Sequence, residues 1–325
     1  MSVEAPEVVP TPAAPERKET TSRAMKASFS SPLASAIVVI ITILWTIPIV
    51  GLFITSIRPP ADVATSGWWT WFKHPAFTIQ NYQTVMSGGG AGTSGGLTPY
   101  FVNSFIITIP GALFPLAIAC MAAYCLAWVP FRGATVIFFT IFALQIVPLQ
   151  MSLVPLLQMF SGHWTVFGIH IPTPSVAGPD KPGDGFIPVW TAHTMFALPL
   201  AVFLLHNFIA ALPRDLIEAA RVDGASHFLI FRKIVLPLSL PAIAAFAIFQ
   251  FLWVWNDLLV ALTFAGGTPK VAPLTARLSQ ITGAYGSKWW LLTAGAFIAI
   301  IVPLIVFFAL QRFFVRGLLA GSVKG

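Results

Sequence analysis

LPRDLIEAARVDGASHFLIFRKIVLPLSL, Leu212 to Leu240, is a charged island between two apolar runs. Upstream, residues 189–212 carry no Asp, Glu, Lys or Arg, and downstream, residues 240–264 carry only Asp257. Each flank is longer than the roughly 20 residues a helix needs to cross a bilayer core. The chain therefore reads as apolar helices in lipid joined by polar segments, and this island is the most charged of them after the N-terminal tail.

Composition agrees. Of 325 residues, 57% are hydrophobic and 9% charged, against about 25% charged in a soluble domain. The net charge of +7 does not imply a nucleic-acid partner, because no basic cluster interleaved with aromatics occurs. Cys120 and Cys125 lie five apart in an apolar run and match neither a metal nor a redox spacing; free cysteine there packs as a small hydrophobe. No GxxxxGK[ST] loop occurs, so the chain has no phosphate cradle of its own.

Working outward, six spans are expected, at about residues 33–57, 102–129, 134–160, 189–212, 240–264 and 289–310. The fold class is all-α and integral to the membrane. Residues 1–31, rich in Pro, Ala, Glu, Ser and Thr, cannot bury enough apolar surface to order themselves and are read as a disordered tail. They contain no signal-peptide h-region. An even span number puts both termini on one side, and Lys and Arg gather in short cytoplasmic segments. With the termini inside, Arg17, Lys18, Arg23, Lys26, Arg132, Arg214, Arg221, Arg232, Lys233, Arg312, Arg316 and Lys324 are cytoplasmic. Arg58, Lys73, Lys181, Lys270, Arg277 and Lys288 are outside. Twelve against six favours cytoplasmic termini. Trp68, Trp69 and Trp71 in the first outer loop suit headgroup anchoring.

The island itself reads as helix–Gly–helix. Pro213 suits the first turn of a helix, where its missing N–H is not needed. Arg214, Glu218 and Arg221 are spaced to pair on one side. Gly224, after Asp223, suits a left-handed helix end. A second helix is expected from Ala225 toward Val235, with Pro237 starting the re-entry into lipid. Small residues Ala219 and Ala220 and a ridge of Phe228, Leu229 and Phe231 suit either a groove on another protein or a bed of headgroups.

A resemblance decides between those two. Glu218-Ala219-Ala220, three residues, Gly224, nine residues, Ile234, one residue, Leu236-Pro237 resembles the EAA motif of bacterial ABC importer permeases, and EAARVDGA, with Phe231 before Ile234, is similar to the carbohydrate-importer branch. WNDLL (Trp255 to Leu259), YCLAWVPFRG (Tyr124 to Gly133) and RGLLAGSVKG (Arg316 to Gly325) resemble the maltose-type second permease. Together the likeness covers about residues 33–325. A long N-terminal tail and an enlarged Ser161 to Pro188 loop depart from it, the loop being similar to that of alpha-glucoside-type relatives. The resemblance implies a type I importer permease domain over residues 32–325, with a coupling loop at 213–237 and a cytoplasmic tail at 312–325. It implies that the coupling loop seats in a partner ATPase, with Arg214, Glu218, Ala219, Ala220, Asp223, Gly224, Phe228 and Pro237 as the coupling residues. The implied partners are a homologous second permease chain, an ATP-binding subunit dimer that holds ATP and Mg, and an extracytoplasmic sugar-binding protein approached by the Ala265 to Lys288 loop. This chain would be no enzyme and need no cofactor.

Asp257 is the only acidic residue within a span. Intramembrane charges usually face a bundle interior or a water-filled cavity. Gln150, Gln250, Trp253, Asn256 and Asp257 form the candidate substrate pathway, since a sugar needs hydrogen-bonding groups and an aromatic face. Structural roles, a cap at a helix break or a bond between helices, stand beside that reading. Gln145 and Gln158 are equally open, while His206 and Asn207 read as packing. The substrate expected on resemblance is an α-linked di- or oligosaccharide such as trehalose or maltose. The alternative is an ion-coupled secondary transporter or channel without an ATPase, which expects inverted repeats and charges near the midplane.

Overall fold

The structure is a computed structural model that describes residues 32–88, 95–172, 176, 178, 185–284 and 288–322, with the backbone alone from residue 311 onward. The expected disordered tail at 1–31, the centre of the 161–188 loop and residues 323–325 lie outside the described residues. By contact the chain divides after Ile54 into two compact units. The first holds most of α1 (Pro32–Ile57), a helix with no charged residue.

The second unit begins with the outer segment. Helix α2 (Pro60–Thr65) and a 3₁₀ turn over Trp68–Phe72 wrap around Arg58. The Arg58 guanidinium is buried and donates to the carbonyls of Asp62 and Ser66 and the hydroxyls of Ser66 and Thr70. A buried cation holds only when its donors are used in this way. Trp68, Trp69, Trp71, Phe72 and Phe77 meet edge to face; Trp69, Phe72 and Phe77 stay exposed, while Trp68 and Trp71 are half-buried. Helix α3 (Gln80–Ser87) follows.

The transmembrane helices come next. Helix α4 spans Thr98–Trp128, α7 spans Phe186–Ala210, α10 spans Leu236–Trp255 and α13 spans Trp289–Ser322. Helix α4 packs most extensively along α7, and α10 lies against α4, α13 and α7. The close approach of α4 to α10 needs Gly111: a Cβ there would stand 3.2 Å from Val254 Cγ1. The last helix runs on to Ser322, so the expected tail from 312 is helical in backbone over most of its length.

Two expected spans take a different form. The expected third span is two helices, α5 (Ala134–Ala143, prolonged by a 3₁₀ turn to Ile146) and α6 (Leu149–Phe160), bent by 101°. The cause is Pro148: steric conflict with its ring expels the preceding residue from helical torsions, and Val147 is extended at ψ 118. Among the described residues, five helices are therefore long and apolar enough to cross, or six if the bent pair counts as one span. The expected fifth span stops at Trp255, and α11 (Leu259–Phe264) follows a break at Asn256–Leu258. It also starts earlier than expected. From α9 (His227–Ile230) the chain stays helical through a π-turn, Phe231–Val235, straight into α10. Pro237 thus sits inside a continuous helix and does not begin it. A proline clashes with the carbonyl four residues back, and the widened turn, in which the Leu236 N–H reaches the Phe231 carbonyl, makes room.

Beyond α11, α12 (Leu274–Ala284) folds back onto α4. Asn103 donates to the Pro269 and Ala272 carbonyls, and the Leu274 N–H donates to Ser104. The Arg277 guanidinium lies 5.3 Å over the Tyr100 ring. Much of the expected outer loop 265–288 is therefore packed structure, with Val271, Ala272, Leu274 and Ala276 buried. A two-stranded ribbon, β1 (Thr165–Val166) with β2 (Ile169–His170), lies in the loop after α6.

Candidate functional site

Two places bring the candidate residues together. The first is the island between α7 and α10. Helix α8 (Arg214–Val222) begins one residue after Pro213. It ends as the sequence suggests: Gly224 adopts φ +79, its N–H meets the Arg221 carbonyl at 3.0 Å, and the Ala225 N–H meets the Ala220 carbonyl at 2.9 Å. These two bonds form the Schellman closure. Ser226 then caps α9 by accepting from the Leu229 N–H at 3.3 Å.

Burial sorts the faces of this element. Ile217, Ile230 and Val235 are fully buried against Ala123, Tyr124, Leu205 and Ile209 of α4 and α7. Ala220 and Phe231 pack on the same cluster. Phe231 is therefore not on the outer ridge; its ring lies against Tyr124, 5.3 Å between centroids. Arg214, Glu218, Ala219, Asp223 and Phe228 face outward. Leu216 and Leu229 join them, and Val222, 87% exposed, is the most prominent apolar group. Its place in the i, i+3 row with Ala219 is the signal that a purely motif-based reading passes over. The expected pairing of Arg214, Glu218 and Arg221 does not form. Arg221 instead donates from Nη2 to the Trp128 carbonyl at 2.7 Å, because the end of α4 offers carbonyls without helical partners.

The second place lies where the spans break. A cleft of about 470 Å³ is lined by Gln145, the Val147–Pro148 bend, Ser152, His193, Gln250 and Trp253. A second, of about 640 Å³, is lined by Gln150, Trp253, Asn256 and Asp257. Trp253 belongs to both and is half exposed, so the five candidate pathway residues do converge. Gln158 lines neither. Gln250 is buried and donates to the Gly111 carbonyl of α4 at 3.2 Å. Trp255 turns away from the clefts, packs among Phe101, Phe105 and Phe251, and donates to the Ala299 carbonyl.

Asp257 does structural work at the break. Its carboxylate accepts from the Ala261 N–H at 3.0 Å and the Val260 N–H at 3.4 Å, capping α11, while its own carbonyl accepts from Thr275. Asn256 donates to the Leu252 carbonyl at 2.8 Å, closing the end of α10. One partner went unread in the sequence: His193 of α7 is buried, with Nε2 3.8 Å from Asp257 Oδ2. The clue was available, since a histidine in the middle of an apolar span carries the same cost and meaning as an acid there. His206 packs on Phe138, ring centroids 4.2 Å apart.

Known proteins fit this geometry. Residues 115–319 match the family described as binding-protein-dependent transport system inner membrane component. The chain is 49% identical over 312 residues to the osmoprotective compounds uptake permease GgtD of Synechocystis, covering 95% of this chain and 97% of that one. It is 53% identical over 251 residues to the alpha-glucoside transport system permease AglG of Rhizobium meliloti, covering 77% of this chain and 61% of the relative. In fold it is similar to a chain of a bacterial ABC transporter involved in import of the acidic polysaccharide alginate, with a TM-score of 0.61 at 16% identity over 92% of this chain and 99% of that one. A matched region that includes the island, the broken spans and both clefts leads to one conclusion: this chain belongs to the inner-membrane component family of binding-protein-dependent transport systems.

Proposed function

We propose that this chain is one of two transmembrane subunits of an ATP-driven importer of an α-linked di- or oligosaccharide. It would convert closure of a partner ATPase dimer into alternating access. The observation that carries the reading is the outer face of the coupling element. Val222 and Phe228, with Glu218 and Ala219 one turn before Val222, stand exposed on an element whose inner side is fixed by Ile217, Ile230 and Val235. Apolar groups held rigidly outward on an otherwise charged loop suit insertion into a protein groove.

ATP and Mg would sit on the partner ATPase, since the chain lacks a phosphate-binding loop of its own. A homologous permease and an extracytoplasmic binding protein would complete the assembly. Both termini and the coupling element would face the cytoplasm, as the distribution of Lys and Arg favours. The names of the two relatives quoted above support a small glycosidic or osmoprotective cargo. The clefts at Gln150, Gln250, Trp253, Asn256 and Asp257 supply amide donors and an indole face for such a ligand.

The test is co-purification from detergent followed by reconstitution. An ATPase should be recovered with the wild-type chain, and Glu218→Lys or Phe228→Asp should lose it while the bundle stays folded. A second reading rests on the His193–Asp257 contact, an ionisable pair of the kind ion-coupled transporters use. Sugar uptake by this chain alone, without ATP, would establish that reading and overturn the first.

A further inference from the structure

The coupling element is joined through the chain only to α7 and α10, yet side chains fasten it to α4. Arg221 Nη2 donates to the carbonyl of Trp128, the last residue of α4, at 2.7 Å. One turn earlier, the buried Tyr124 hydroxyl shares a hydrogen bond with His227 Nδ1 at 3.0 Å, and its ring lies on Phe231. The Trp128 indole N–H in turn donates to the Ile209 carbonyl near the end of α7 at 3.0 Å. Two helix C-termini thus receive external donors, one of them a guanidinium. The last carbonyls of a helix lack intrahelical partners and carry the negative end of its dipole. A cation is favoured there, and 2.7 Å is the length of a charge-assisted bond.

We propose that Arg221, Tyr124, His227 and Trp128 form a clamp that makes α4 move with the coupling element, and that Arg221 and Tyr124 are positioning residues for transport. Ile217 and Ile230 share an apolar cluster with Ala123 of α4, but the directed hydrogen bonds that tie the element to the end of α4 are those of the clamp. Through those bonds the displacement is carried along α4, whose Gly111 carbonyl holds Gln250 at the cleft lined by His193 and the Pro148 bend and whose backbone at Gly111 lies beside Val254. The clamp rests on the function proposed above and adds the span through which force reaches the pathway.

The experiment uses the assembled complex in lipid vesicles. Spin labels are placed at Arg132, just beyond α4, and Asp215, on the exposed face of α8, with Cys120→Ala and Cys125→Ser in all chains. The wild-type distance should be narrow and equal with and without ATP. In Arg221→Ala and Tyr124→Phe it should broaden and shift when ATP is added, while Arg221→Lys, which keeps a donor, should restore the narrow form. In parallel, the ratio of labelled maltose or trehalose moved to ATP hydrolysed should fall about tenfold in Arg221→Ala, an effect within the range of coupling changes by residues that touch neither ligand. The amount of ATPase recovered should stay at the wild-type level.

A wild-type distance that changes with ATP, or variants that keep the narrow distribution, would overturn the clamp while leaving the proposed function intact. Failure of the wild-type chain to recover an ATPase would overturn both. If the wild type recovers its ATPase but moves neither sugar, the sugar class falls and the distances alone judge the clamp.

Discussion

Gly224 shows how much a single position decides here. Its φ of +79 is open only to residues that tolerate the left-handed region, and no heavy atom lies within 4 Å of a Cβ built on it. Gly224→Ala should therefore cost about 1–2 kcal/mol through backbone strain alone. Gly224→Asn should cost less, because asparagine enters that region more readily. Transport assays should rank them Gly, Asn, Ala, and equal losses for both variants would argue for a steric role. Gly111 works by the opposite physics. Space is what it supplies, so Gly111→Leu should force α4 from α10 and cost about 1–3 kcal/mol as overpacking does, read as a drop in thermal stability in detergent. At Asp257, removal of the α11 cap by Asp257→Ala should cost about 1 kcal/mol and free the His193 ring. Asp257→Asn, which keeps an acceptor for the Ala261 N–H, should retain most of that stability in the same melting assay.

At the scale of elements, prolines set the architecture. Pro148 turns one apolar run into the bent pair α5–α6, and Pro237 widens the helix into a π-turn between α9 and α10. A one-residue widening shifts every later side chain by about 100° around the axis. Pro237→Ala removes the reason for it. The turn should then relax toward α geometry and rotate the coupling element against α10. ATPase recovery should survive and substrate transport should fall several-fold; unaltered transport would show that the π-turn is incidental to coupling. The 3.6-residue periodicity of an apolar run is silent inside lipid-facing sequence, where polar and apolar faces do not alternate. Helix length was therefore read from hydropathy, which does not register a bend.

For the whole molecule, the spans, the charge asymmetry and the helix–Gly–helix island were legible because each depends on local chemistry. Hydrophobic length against bilayer thickness and a left-handed glycine need no knowledge of neighbours. Convergence of Gln150, Gln250, Trp253, Asn256 and Asp257 on two adjoining clefts depends instead on the Pro148 bend and on how α7 meets the end of α10. The same holds for His193: 64 residues before Asp257 in the chain, it becomes a partner only when packing sets it 3.8 Å away. Arg221 was assigned to Glu218 by helical spacing and turns out to serve the α4 terminus, since an unpartnered carbonyl at the end of a helix outcompetes a solvated surface pair. The amino-acid sequence by itself determined that this chain spans a membrane and carries a helix–Gly–helix loop between two spans, because desolvation and backbone torsion act residue by residue. Only the tertiary structure decided which spans break, which polar groups meet at the clefts and which helix the loop grips, because those depend on carbonyls and side chains brought together from distant parts of the chain.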